Sequence, residues 1–262
     1  MVNNTDIMQQ HVAPTLAHIA ARLRSMCLED TWARKQAGCK GLRVITKLND
    51  VGVQWVVEHA VNLVRTLLHV LKDLPSDVPK DVDEVVDLMK LMIRMSNAGR
   101  AVVDEETGRG RLTQFVNVLG TEISSRSPVT REAVQTCLTL VSDMVGETPY
   151  ELLKPSRDRI LQNLYTKPLR TLAFPLQIGV IEAMRYCVSL DPPLPELGEE
   201  LLRLLHETLA LADAEDITLL GQRNARQNSV EIVKLRVACI KLLSASMPIT
   251  DFFSKQSNTR QR

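Results

Sequence analysis

"WARKQAGCKGLRVITKL" (residues 32–48) has the length and apolar spacing of a helix, yet it carries Gly38 and Gly41 in its interior. A mid-helix glycine costs about 0.8–1 kcal/mol relative to alanine. A residue without a side chain also lets a neighbouring backbone come close. The stretch therefore predicts a helix packed tightly against another on a repeating scaffold. The alternative is that the two glycines are merely tolerated, and the rest of the chain has to separate the two readings.

The chain has 262 residues, enough for one large or two ordinary domains with a sizeable core. Apolar residues make up 45% but aromatics only 3%, so the core has to be built from Leu, Val, Ile, Ala and Met. Strands are usually richer in aromatic and β-branched residues. Only 11 glycines are present, few for the many turns of a β protein. An all-α chain is expected.

Formal net charge is +1, from 32 Lys and Arg against 31 Asp and Glu. No global field draws such a chain onto nucleic acid or anionic lipid, so direct nucleic-acid contact is not expected. No apolar run reaches the roughly 18 residues of a membrane span. The opening "MVNNTDIMQQ" lacks the basic start and apolar run of a signal peptide. A soluble intracellular protein is expected. Cys27, Cys39, Cys137, Cys187 and Cys239 are far apart in sequence, odd in number and without metal-ligand spacing. They read as buried free thiols in a reducing compartment.

Helical period dominates the rest. Helices are expected over 11–29, 31–49, 52–73, 81–98, 109–126, 129–146, 156–165, 175–190, 195–213 and 229–246. Breakers separate them: "LPSDVPKD" (74–81), "DEETGRG" (104–110), "SRSPVT" (125–130), "GETPYELLKPS" (146–156), "YTKPL" (165–169) and "DPPLP" (191–195). Four stretches then align: "RKQAGCKGLRVI" (34–45), "TREAVQTCLTLV" (130–141), "PLQIGVIEAMRY" (175–186) and "KLRVACIKLLSA" (234–245). Each has a small or apolar pair near its start, namely Ala37-Gly38, Ala133-Val134, Ile178-Gly179 and Val237-Ala238. Leu42, Leu138, Ala183 or Leu242 follows, and then Ile45, Val141, Tyr186 or Ala245.

Ala37, Ala133, Ile178 and Val237 stand 96, 45 and 59 residues apart, and Val85 falls midway across the first interval. Periods of about 40–47 residues belong to HEAT-type helix pairs. The expected fold is therefore an α-solenoid of about four to five HEAT-like antiparallel pairs. It forms a single segment over 1–262, with longer connections near 74–81, 104–110, 146–156 and 219–228. In such a stack each repeat buries its apolar face only against its neighbours. Gly38, Gly41 and Gly179 would then mark the closest helix approaches.

No catalytic apparatus is visible. There is no phosphate loop, and the G-x-G of "TGRGR" (107–111) reads as polar loop without a preceding strand. His11, His18, His59, His69 and His206 form no metal-ligand spacing. Glu105, Glu106, Asp213, Glu215 and Asp216 read as solvated carboxylates in loops or at helix ends. Two basic clusters, Arg109 with Arg111 and Arg223 with Arg226, lack the aromatic partners of a single-strand binder. No catalytic, cofactor-binding or metal-binding residue is assigned, no cofactor is expected, and the chain reads as a non-enzyme.

One resemblance goes further. "RLRSMCLEDTWARKQAGCKGLRVI" (22–45), "SRSPVTREAVQTCLTLVSDMVGE" (125–147), "LQIGVIEAMRYCVSL" (176–190), "LLRLLHETLALADAEDITL" (201–219) and "EIVKLRVACIKLLSA" (231–245) resemble the transformation/transcription domain-associated protein family. They match its fungal, transcription-associated protein 1 type better. The run Met26, Cys27, Trp32, Lys35, Gly38 and Cys39 is the most telling part. The resemblance implies a HEAT-solenoid segment of a giant pseudokinase related to the phosphatidylinositol-3-kinase-related kinases. It further implies a nuclear scaffold in histone acetyltransferase complexes of the SAGA and nucleosome acetyltransferase kinds, where transcriptional activators dock. The FAT and kinase-like regions have no counterpart, so a fragment of a much larger protein is expected. Self-association through exposed solenoid ends is a further expectation. A generic HEAT adaptor in transport or signalling is the alternative.

Overall fold

Apolar residues recurring every three or four positions drive the chain into helices that bury those faces on one another. The computed structural model describes residues 12–48, 50–74, 79–97, 105–215, 219 and 229–260. The helices are α1 (Ala13–Cys27), α2 (Trp32–Ile45), α3 (Asp50–Lys72), α4 (Pro79–Met95), α5 (Glu105–Glu122) and α6 (Pro128–Val145). They continue with α7 (Pro149–Leu153), α8 (Arg157–Tyr165), α9 (Phe174–Val188), α10 (Glu199–Asp213) and α11 (Ser229–Arg260). Two short 3-10 turns, Lys154–Ser156 and Leu169–Thr171, precede α8 and α9, and no strand occurs among the described residues. The fold is all-α, of the helical solenoid class.

The chain groups into two compact units. The first joins Met1–Leu119 to Glu132–Glu147. In it α1 packs on α2 and α3, and α4 packs on α2 and α3. Contacts between successive helices and between alternate helices are the signature of stacked hairpins. Its buried residues are mostly aliphatic, among them Leu42, Leu63, Leu67, Leu88, Met89, Met92 and Leu119, with Phe115 also wholly buried. Gly146 closes α6 at φ +77, a left-handed position that favours glycine, and its N–H donates to the Ser142 carbonyl at 2.8 Å.

The second unit joins Gly120–Arg131 to Thr148–Arg262. Here α9 and α10 both pack on α8 and on α11. Arg131, buried at the start of α6, donates to the carbonyls of Ser125 (2.6 Å) and Arg126 (3.2 Å) and so fixes the turn before it. The 3-10 turn at Leu169 is held from both sides. Its N–H donates to Glu207 Oε2 at 2.6 Å, and its carbonyl accepts from Gln177 Nε2 at 2.9 Å.

The aligned columns coincide with the core. Gly38, Val134, Gly179 and Ala238 are all buried, as are Leu42, Leu138, Ala183 and Leu242, and Val85 is buried midway. The first column is less uniform, because Ala37 and Val237 are exposed. The glycines lie at close approaches. A Cβ on Gly38 would meet the Leu23 carbonyl oxygen of α1 at 2.7 Å, and one on Gly41 would strike the Leu23 side chain. A Cβ on Gly179 would meet the Ser124 carbonyl oxygen at 2.5 Å.

Four elements differ from the sequence expectation. Residues 105–110 are the first turns of α5 rather than a connection, so "TGRGR" is helical. The glycine cost is small beside the burial of Phe115, Val116, Val118 and Leu119 further along that helix. The connection at 146–156 contains a helix of its own, α7. It is started by a capping box in which Thr148 Oγ1 accepts from the Glu151 N–H and Glu151 Oε2 accepts from the Thr148 N–H.

The third difference is the start of α10 at Glu199 rather than 195, because the "DPPLP" segment tucks back onto α9. The Leu194 N–H donates to the Cys187 carbonyl at 2.9 Å, and the Leu194 side chain is buried. Finally, α11 runs on through Pro248, which forfeits one backbone hydrogen bond without ending the helix. The connections at 75–78 and 220–228 lie outside the described residues.

Candidate protein-docking surface

The polar groups singled out in the sequence serve the packing. Arg111 Nη1 donates to the Val57 carbonyl of α3 at 3.0 Å. His59 stacks on Trp55 with ring centroids 4.4 Å apart, and its Nδ1 lies 2.9 Å from the Trp55 carbonyl. His69 Nε2 is 3.8 Å from Asp73 Oδ2, while His18 and His206 are exposed. His11, Asp216, Arg223 and Arg226, and the side chains of Glu105, Glu106 and Arg109, lie outside the described residues. Among the described residues, no three His, Cys, Asp or Glu side chains converge to hold a metal ion. No described helix is long and apolar enough to cross a membrane.

All five cysteines are free and buried. Burial pushes the thiols of Cys137 and Cys187 up to about 12 and that of Cys239 up to about 11. It likewise raises Tyr165 and Tyr186 to about 12. Such groups stay neutral and unreactive near neutral pH.

Two polar seams went unnoticed in the sequence. Asp81, in the first turn of α4, accepts from Trp32 Nε1 and Gln36 Nε2 of α2, each at 2.9 Å. Arg43 extends that seam by donating to the Glu84 carbonyl at 2.7 Å. Lys35, almost wholly buried, reaches Asp73 Oδ2 at 3.0 Å. Partners 38 to 49 residues apart in sequence leave no local signal for these pairs.

Helix α11 is apolar on two sides. Ile232, Leu235, Ala238, Cys239 and Leu242 are buried, and it is against α9 and α10 that the helix packs. Val230, Val233, Val237, Ile240 and Met247 are 63, 59, 44, 61 and 63% exposed. Their spacing of three, four, three and seven residues keeps them on one stripe, the seam that another helix covers in helix-on-helix packing. Lys234 and Lys241 flank it, and Lys234 pairs with Glu231 at 2.8 Å. Among the described residues, an apolar strip along one helix face suits a protein partner.

Over residues 1–262 the chain matches the family model described as the Tra1 HEAT repeat ring region. The chain belongs to the Tra1 family. It is 31% identical over 252 residues to the SAGA complex/NuA4 acetyltransferase complex subunit TRA1 of Saccharomyces cerevisiae, covering 94% of this chain and 7% of that protein. The subunit of the same description in Schizosaccharomyces pombe is 29% identical over 249 residues, covering 93% and 7%. Transcription-associated protein 1 of Drosophila melanogaster is 24% identical over 254 residues, again covering 93% and 7%. The chain thus spans about 7% of the length of these curated relatives. The matched region is HEAT repeat, in agreement with the stacked pairs of both units.

Proposed function

We propose that this Tra1-family chain is a non-catalytic scaffold segment of a transcription coactivator subunit. It works in the nucleus, within acetyltransferase complexes of the kind named for its yeast relatives, and offers a docking surface to their subunits or to transcriptional activators. The observation that carries the docking surface is the exposed stripe Val230, Val233, Val237, Ile240 and Met247 on a helix whose other side is already packed. Its counterpart is an apolar-seamed helix of a partner protein. Each of these side chains is already about half covered, so burying the remainder is worth about 1 kcal/mol apiece before the costs of association.

The test is recovery of the tagged chain from nuclei, with mass spectrometry of what accompanies it, set against the Val233→Glu/Ile240→Glu variant. Acetyltransferase-complex subunits or activators captured by the parent chain and lost from the variant support the reading. Transport cargo captured instead would replace it with a generic HEAT adaptor. Complex subunits retained by both chains would move the docking surface off α11.

A further inference from the structure

The five cysteines are not equivalent. Cys137, Cys187 and Cys239 are fully buried. Cys27 and Cys39 face each other across the contact of α1 with α2, Sγ to Sγ 4.0 Å. Cys27 is the last residue of α1 and is wholly buried. Cys39 lines a small groove between α2 and α4, beside Trp32, Gln36, Lys40 and Asp81. A molecule of the size of a peroxide that enters this groove meets Cys39 and stands one sulfur away from Cys27. The missing side chain at Gly38 leaves room for the Cys27 sulfur, since a Cβ there would lie 2.7 Å from it.

We propose that Cys27 and Cys39 form a redox-modification site, which a small hydroperoxide entering the groove converts to an intrachain disulfide joining α1 to α2. A thiolate sulfur of the pair attacks the terminal peroxide oxygen. An S–O bond forms, the O–O bond breaks, and the alcohol or water leaves. The second sulfur then attacks the first, the S–S bond forms, the S–O bond breaks, and water departs with the remaining thiol proton. Two thiols and one hydroperoxide give one disulfide, one alcohol or water, and one water. The hydroperoxide is the two-electron oxidant.

Access places the first step at Cys39, the member of the pair that lines the groove, and leaves wholly buried Cys27 to resolve it. The hydrogen bond between the two sulfurs and the charges of Arg24 and Lys35 hold the Cys27 thiol below its ordinary value against the opposing effect of burial, so Cys27 takes the Cys39 proton as that sulfur attacks. Closing the 4.0 Å gap to a bonded distance takes a shift of about 2 Å. The other three thiols are unpaired with one another and raised by burial, so they are poor competitors.

Oxidation of the folded chain with dilute hydrogen peroxide tests this. The expected result is a fall from five titratable thiols to three after denaturation, and a mass loss of two hydrogens. Peptide mapping should give a single Cys27–Cys39 cross-link, reversed by dithiothreitol. The thermal midpoint of the oxidised chain should rise above that of the reduced one. Cys39→Ser should lose both the cross-link and the shift, whereas Cys137→Ser should keep them. Retention of all five thiols would overturn the site, as would any other cysteine pairing or over-oxidation of single cysteines without a cross-link. The mapping is done on the parent chain, so a poorly folding variant leaves the decision intact.

Discussion

Gly38 of α2 stands directly against Cys27 of α1: a Cβ in its place would lie 2.7 Å from the Cys27 sulfur and 3.0 Å from the Cys27 backbone nitrogen. Gly38→Ala gains about 0.8–1 kcal/mol of helix propensity. It loses more to the clash, because overpacking against backbone costs about 1–3 kcal/mol. Net destabilisation is expected. Gly110 is the control, since it is helical and a Cβ there meets nothing within 4 Å. Gly110→Ala should stabilise. Urea denaturation of both variants checks the opposite signs.

Gly179 should be less forgiving than Gly38. Its neighbours are two carbonyl oxygens, those of Ser124 at 2.5 Å and Ser125 at 2.9 Å. The Ser125 oxygen is also held by Arg131. Gly38 also meets backbone, but one of its neighbours is the Cys27 side chain, which can turn aside. All those of Gly179 belong to a turn fixed by a buried arginine. Gly179→Ala should therefore cost about 2–3 kcal/mol or more. A denaturation midpoint no lower than that of Gly38→Ala would count against this ranking.

Lys35 and Asp73 form an asymmetric pair, with the lysine side chain 4% exposed and the aspartate 41%. Removing the aspartate strands a buried ammonium, while replacing the lysine by an apolar residue strands nothing buried. Asp73→Ala should cost about 1–3 kcal/mol, and Lys35→Met distinctly less. Comparing the two variants in guanidinium denaturation reads the difference directly. Equal losses would mean the pair acts as an ordinary surface ion pair.

Glu151 supplies a pH-dependent contribution. The backbone N–H of Thr148, then its hydroxyl, then Lys154 hold the Glu151 carboxyl below its ordinary value. A depressed carboxyl binds fewer protons in the folded chain than in the unfolded one. Its contribution is therefore full above the unfolded value, about 4.3, and is lost as pH falls through the folded value. In a carboxyl-carbon NMR titration Glu151 should fall below other exposed glutamates. Thr148→Val should move it back up.

How far the sequence reached follows from the range of the interactions. Gly38, Leu42 and Ile45 repeat within one helix and again along the chain, so period alone exposed the stacked pairs and the close approaches. The Trp32–Asp81 and Lys35–Asp73 seams join residues 49 and 38 apart, and no local pattern marks them. The Cys27–Cys39 pair was hidden by the same blindness, at a separation of 12. Two cysteines on successive helices, one of them beside a close-approach glycine, were a usable signal. The start of α5 was misread because its local breakers were weighed without the burial of Phe115, Val116, Val118 and Leu119 that overrides them.

The two faces of α11 should respond to substitution in opposite ways. Ile240→Glu changes a side chain that is 61% exposed, so stability should move by no more than about 0.5 kcal/mol. Leu242, two residues on, is wholly buried, and Leu242→Ala should cost about 2–5 kcal/mol. The effect on association should be reversed. With an uncovered apolar stripe, the parent chain should self-associate as its concentration rises in sedimentation experiments. Ile240→Glu, which puts a carboxylate into the middle of that stripe, should hold it monomeric. Leu242→Ala should still associate at temperatures where it remains folded. A parent chain that stays monomeric throughout would mean the stripe is too small to close on a second copy. Self-association unchanged by Ile240→Glu would place the contact on another surface.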